Sequence, residues 1–267
     1  MDLGYTGASA VVTGGTKGMG RAIAEVLAGE GARVAIMARG KDALAETEAA
    51  LSAAGAPDVL AMSVDFTDAA AIAEAFTAVG ERWGSLNVLV HTLGPGDGHF
   101  EDLDDEAWDR TFQIGLMAGV RAVRAALPLL RAADWARIVT LAAHSIQRQS
   151  PRLVAYTASK AALTSVTKNL AKSLGPEGIL VNTVSPGTII TASFTETLKP
   201  VLAADGLDSS DPVQVMQWID KTFHHPVDLG RAGLPDHIAS AVVYLASQRN
   251  GYVTGANLNV DGGSDFI

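Results

Sequence analysis

Seven short apolar runs, separated by longer alanine-rich stretches, constrain this chain more than any other feature. The runs are ASAVVTG, RVAIMAR, VLAMSVD, LNVLVHT, ARIVTLAA, ILVNTVS and ANLNV. Helical spacing falls between them at about 19–30, 41–54, 68–83, 104–131, 152–174 and 236–247. Strands that are apolar almost throughout must be covered on both faces, and a strand–helix alternation supplies helices to each side. The expectation is an α/β chain with one doubly wound parallel sheet of about seven strands and helices on both faces. At 267 residues it reads as a single domain over 1–267. The rhythm breaks at about 188–234, which holds no strand-like run but does hold Phe194, Met216, Trp218 and Phe223. So long an insertion reads as a substrate loop or lid, built of short helices rather than disordered.

Composition removes several function classes. Hydrophobic residues at 48% with charged residues at 18% supply a sizeable core, and a net charge of −9 argues against a nucleic-acid partner. The absence of cysteine excludes disulfides, thiolate catalysis and cysteine-ligated metals. The opening MDLGYTGASAVV has no basic segment ahead of a long apolar run, so no signal peptide is expected. No uncharged apolar stretch reaches about 18 residues, so a membrane span is not expected either. A cytoplasmic location is the default.

The segment TGGTKGMG at 13–20 follows the first apolar run and opens the first helical stretch. In that position Gly14 permits a tight turn, Gly18 lets backbone approach a pyrophosphate, and Gly20 allows close helix–strand packing. The helix start, with Met19 in the same turn, then offers free N–H groups to an anion. A glycine turn alone can be plain turn chemistry; the strand–turn–helix context makes it a dinucleotide fingerprint and the fold Rossmann-type. The second run ends MARGK, with Ala38 where a ribose-binding acid would stand and Arg39 after it. Lys17 adds a second cation. Unless both are merely solvated surface charges, they favour NADP(H), with NAD(H) the lesser choice.

YTASK at 156–160 places Tyr156 and Lys160 four residues apart, on one helix face. With TGGTKGMG and the tail TGANLNVDGG, the chain resembles the short-chain dehydrogenase/reductase family from residue 7 to 264. The resemblance implies that Tyr156 is the general acid/base, and that Lys160 lowers its pKa and holds the nicotinamide ribose. It implies adenine contacts at Asp65 and Phe66 in VDF, and cofactor contacts at Gly94. In SPGTIIT it implies nicotinamide contacts at Pro186, Gly187, Ile189 and Thr191. The implied function is an oxidoreductase moving hydride between NADP(H) and a small ketone or secondary alcohol, loosely like the 3-oxoacyl-carrier-protein reductases. The helices at 104–131 and 152–174 would pack on their copies as a homodimer or, with VDGGSDFI, a homotetramer.

Three departures from the family touch its active centre. The expected serine falls on Ala143, the expected asparagine on Gly115, and Asn-Asn-Ala-Gly appears as HTLG at 91–94. Losing one preorganised donor to a developing oxyanion costs roughly 10²–10³ in rate. Ser145 can replace the hydroxyl if the loop bulges, and His144 can offer an N–H. The bland alternatives are a solvent-facing loop serine and a packing histidine. His91, His99, His224, His225 and His237 show no metal-ligand spacing, so no metal is expected. A second function stays open: a nicotinamide-binding protein of low turnover, acting as a regulator or partner subunit.

Overall fold

The computed structural model describes residues 2–96 and 98–264. Its sheet has seven strands, all parallel, in the order β3-β2-β1-β4-β5-β6-β7. They are β1 Ser9–Thr13, β2 Arg33–Ala38, β3 Val59–Ser63, β4 Val88–His91, β5 Ala136–Leu141, β6 Ile179–Pro186 and β7 Asn257–Val260. Each lies within its apolar run except at β6, which gains Pro186. One face carries α1 (Gly18–Gly29), α2 (Lys41–Ala54) and α9 (Pro235–Ala246). The other carries α3 (Ala69–Trp83), α5 (Ala118–Arg131) and α6 (Val154–Leu174).

The period-two alternation of the strands feeds these two cores. Val34 and Ile36 of β2 pack on the α1 side, while Ala35 and Met37 pack on the α3 side. All four are fully buried. A fully buried side chain the size of Val34, Ile36 or Met37 contributes about 1.5–3 kcal/mol before chain entropy is counted. Helix boundaries follow local chemistry: Asp68 accepts from the N–H groups of Ala70 and Ala71 to start α3. The order of strands reverses between β1 and β4, so a crevice opens there beyond their carboxyl ends.

One expectation needs correction. The stretch expected as one helix over 104–131 is α4 (Asp105–Phe112), a π-helical turn at Gln113–Met117, then α5. Gly115 sits in that turn, and a Cβ there would lie 2.2 Å from Ser159 Oγ and 3.1 Å from Pro95 Cγ. The backbone thus approaches α6 as closely as glycine allows, and π turns of this kind gather at functional sites. By length and composition Asp105–Arg131 could also cross a membrane. Here its Ala118, Ala122, Ala126 and Leu130 are buried against the sheet core.

The insertion forms α7 (Ala192–Ala204) and α8 (Pro212–Phe223). Leu202, Val215, Met216, Trp218 and Ile219 make a third apolar cluster, with Phe194 and Phe223 packed against it. Its two ends are tied by a single bridge between Ile189 and Gly233. Gly233 N donates to Thr188 O and Ile190 N to Gly233 O, both at 2.9 Å.

Candidate active site

Two cavities meet at Pro95 and Gly96, over the crevice between β1 and β4. The first, of about 480 Å³, is lined by Gly14, Lys17, Arg39, Asp65, Phe66 and Gly94, with Ala38, Thr16 and Ile114. The second, of about 660 Å³, is lined by Met19, Ala143, His144, Ser145, Tyr156, Pro186, Gly187, Ile189 and Thr191. Nearly all the residues read from the sequence as site residues therefore gather here.

Gly18 and Gly20 line neither cavity; they shape the turn. A Cβ on Gly20 would lie 2.3 Å from Gly14 O, inside any permitted contact. Gly18, at φ +51°, leaves only 3.0 Å between its own would-be Cβ and Thr191 Cγ2, so the turn after β1 abuts the loop after β6. No side chain caps the start of α1, leaving its first N–H groups available to an anion. Lys17 and Arg39 bring the cationic side chains to this cavity. Asp65 is held below the usual carboxylate range by the backbone N–H and hydroxyl of Thr67, so it stays ionised. The residues present therefore fit a dinucleotide carrying an additional phosphate.

Lys160 lies beneath the junction, 1% exposed. Its Nζ donates to Leu93 O at 2.6 Å and Leu141 O at 2.7 Å, pinning it between the ends of β4 and β5. Burial pushes its ammonium down to about 7. Tyr156, one turn earlier on α6, borders the second cavity.

The departures now have geometry. Gly115 has no room for the family's asparagine, because Ser159 occupies that space; its Oγ donates to Tyr156 O at 2.7 Å. Beyond Ala143 the chain makes a short helical turn at His144–Ile146, which brings Ser145 inward to 2% exposure. Ser145 Oγ accepts a bond from Thr157 Oγ1 at 3.1 Å, so its own proton remains to be donated. His144 differs from expectation. Its Nδ1 lies 3.1 Å from Pro186 O, and a carbonyl only accepts, so Nδ1 carries the proton. The N–H expected for substrate is therefore committed to backbone, and Nε2 is the acceptor nitrogen of that tautomer.

His91, fully buried at the end of β4, bonds Thr13 Oγ1 through Nδ1 at 2.9 Å. Its ring takes the space a side chain on Gly119 would need. Burial, aided by the Lys160 charge, pushes it down to about 3 from 6.5. The unfolded chain therefore binds a proton that the fold refuses. This residue's contribution to stability is present above pH 6.5 and is lost as pH falls toward about 3. Relative to His91→Asn, the native protein should lose up to about 1.4 kcal/mol per pH unit across that window. Denaturant unfolding at several pH values measures it; parallel curves for the two proteins would contradict it.

The sequence reading missed Pro95 and Gly96, where the two cavities meet, and Thr188, Ser193, Phe194 and Thr197 on the second cavity's wall. A Pro-Gly pair a few residues beyond a strand was a readable turn signal. The others depend on how α7 folds back, which local pattern does not encode. Among the described residues no three His, Asp or Glu side chains converge on a metal position.

A family model described as enoyl-(acyl carrier protein) reductase matches residues 14–265. The chain belongs to the short-chain dehydrogenase/reductase family. Its sheet order and its turn after β1 are those of the Rossmann-type oxidoreductases of that family. It is 32% identical over 263 residues to dehydrogenase/reductase SDR family member 4 of Caenorhabditis elegans, covering 97% of this chain and 95% of the relative. It is 34% identical over 257 residues to 2-(S)-hydroxypropyl-CoM dehydrogenase 3 of Xanthobacter autotrophicus, covering 96% of each. Among solved structures, the L-sorbose reductase of Gluconobacter frateurii, complexed with NADPH and L-sorbose, superposes with a TM-score of 0.93. That match has 30% identity and covers 100% of both chains. This short-chain dehydrogenase/reductase thus retains Tyr156 and Lys160 but carries Ala143 and Gly115 at two positions of its centre.

Proposed function

We propose that the protein is an NADP(H)-dependent oxidoreductase interconverting an uncharged ketone and its secondary alcohol. The observation that carries this is Tyr156 on the second cavity with Lys160 buried one turn beyond it, beside a first cavity lined by Lys17 and Arg39. When bound, the reduced nicotinamide supplies a hydride to the carbonyl carbon. Tyr156 gives its phenolic proton to the carbonyl oxygen, which completes the alcohol. The Lys160 ammonium, held by two carbonyls in a dry site, favours the phenolate left behind. Ser145 donates a hydrogen bond to the same oxygen in place of the family's serine.

The second cavity's described lining includes no Asp, Glu, Lys or Arg, which suits a neutral substrate. The neutral sugar held by the Gluconobacter reductase is consistent with that class. Consumption of NADPH across a panel of neutral ketones tests the reading. A second reading, a nicotinamide binder of low turnover, draws on Ala143 and Gly115; tight NADPH binding without consumption of any ketone would select it.

Cofactor preference follows from Lys17 and Arg39. Titration against intrinsic fluorescence should show NADPH binding more tightly than NADH, because both cations can pair with the 2′-phosphate. Arg39→Ala should weaken NADPH by about tenfold and leave NADH little changed. Equal affinities in the native protein would defeat the preference.

We also propose closed assembly, a dimer through α4–α6 or a tetramer that adds the C-terminal VDGGSDFI. Residues 265–267 of that segment lie outside the described residues. Phe100, 68% exposed and edge-on to Trp108 near the start of α4, suits a covered face. Light scattering returning a single-chain mass at micromolar concentration would contradict assembly.

A further inference from the structure

We infer that His144 is a specificity determinant that accepts a hydrogen bond from a hydroxyl next to the reacting carbonyl, so the preferred substrates are α-hydroxyketones. This rests on the ketone-reductase reading and narrows it. The argument begins with the tautomer. Nδ1–H donates to Pro186 O at 3.1 Å, which makes Nε2 the acceptor nitrogen of this tautomer. No described residue donates a hydrogen bond to Nε2. His144 and Pro186 both line the second cavity, and the ring is half-buried rather than out in solvent.

The neighbouring groups make this acceptor selective. Thr188 and Ser193 present hydroxyls that donate or accept as needed, so they discriminate little, while Thr197 Oγ1 gives its proton to Ser193 O at 2.8 Å. His144 in this tautomer cannot adapt in that way; Nε2 is met by a donor or left unpaired. Ser145, one residue on, is arranged in the opposite sense, because Thr157 Oγ1 donates to it and its own proton is left to give. Donor and acceptor thus line the same cavity as Tyr156. A carbonyl oxygen suits the Ser145–Tyr156 donors, and a hydroxyl on the adjacent carbon suits Nε2. A site built to bond a substrate hydroxyl discriminates against the analogue lacking it, since its own polar group then goes unpaired. Ala143 adds no polar group that would blur this pattern.

Two amide substitutions separate recognition from mere support. Asn at 144 keeps a donor near the Nδ1 position and so keeps the Pro186 bond, but reaches no farther. Gln reaches the Nε2 position and can still accept there. Acetoin and butanone, which differ by the α-hydroxyl, are compared at pH 8 with saturating NADPH. The native protein should favour acetoin by about tenfold or more in kcat/KM. His144→Asn should lower that ratio by about tenfold, and His144→Gln should keep it within about threefold. Saturation-transfer NMR of acetoin without nucleotide supplies a readout independent of turnover, with signal lost in the Asn variant and kept in the Gln variant. An unchanged ratio and unchanged NMR signal in His144→Asn would overturn the inference while leaving ketone reduction intact. Consumption of neither ketone by the native protein would sink the parent reading, and the NMR comparison would still decide whether His144 holds the hydroxyl.

Discussion

Tyr156→Phe is expected to lower kcat by about 10²–10⁴-fold while NADPH still binds. The substitution removes one oxygen and leaves the ring, so the wall of the second cavity keeps its shape. Without the phenol no other described side chain on that wall combines an exchangeable proton with a cation beneath it. Lys160 cannot take over directly, since it is 1% exposed and bound to Leu93 O and Leu141 O. The measurement is steady-state turnover beside a cofactor titration. Native kcat in the variant would show that protonation comes from elsewhere.

Ser145→Ala is the second large expectation, a fall in kcat of about 10²-fold with cofactor affinity kept. The loss has this size because the donor acts on charge that develops only as the carbonyl is reduced. It has this location because the helical turn after Ala143 draws Ser145 to 2% exposure beside the cavity, held by Thr157. Ala143→Ser should help the Ser145→Ala variant more than it helps the native protein, because it returns a hydroxyl to the family position. If Ser145→Ala turns over at the native rate while Tyr156→Phe is dead, the centre runs on tyrosine and lysine alone.

Much of this architecture was legible in the sequence because its determinants are local and periodic. Continuous apolar runs such as RVAIMAR announce a strand covered on both sides, and TGGTKGMG announces the turn that carries the first cavity. Four-residue spacing was enough to put Tyr156 and Lys160 on one helix face. What was not legible depends on contacts between distant segments. The π turn at Gln113–Met117 has no period of its own, and Gly115 gains meaning only once Ser159 is known to press against it. His144 read as a possible N–H donor, and only the Pro186 carbonyl, 42 positions along the chain, assigns that proton elsewhere. The cavity wall from Thr188 to Thr197 was likewise hidden, since it depends on where α7 lies.

The central claim is hydride transfer to a neutral ketone at Tyr156, and isotope transfer tests it most directly. NADPH carrying deuterium at its transferable position is incubated with the native protein and acetoin, and the product is analysed by NMR. The account predicts a diol bearing one deuterium on the newly formed carbinol carbon, formed about 10²-fold or more slowly with Tyr156→Phe. Diol formed without deuterium at that carbon, or labelled NADPH bound yet never consumed with any neutral ketone, would contradict it.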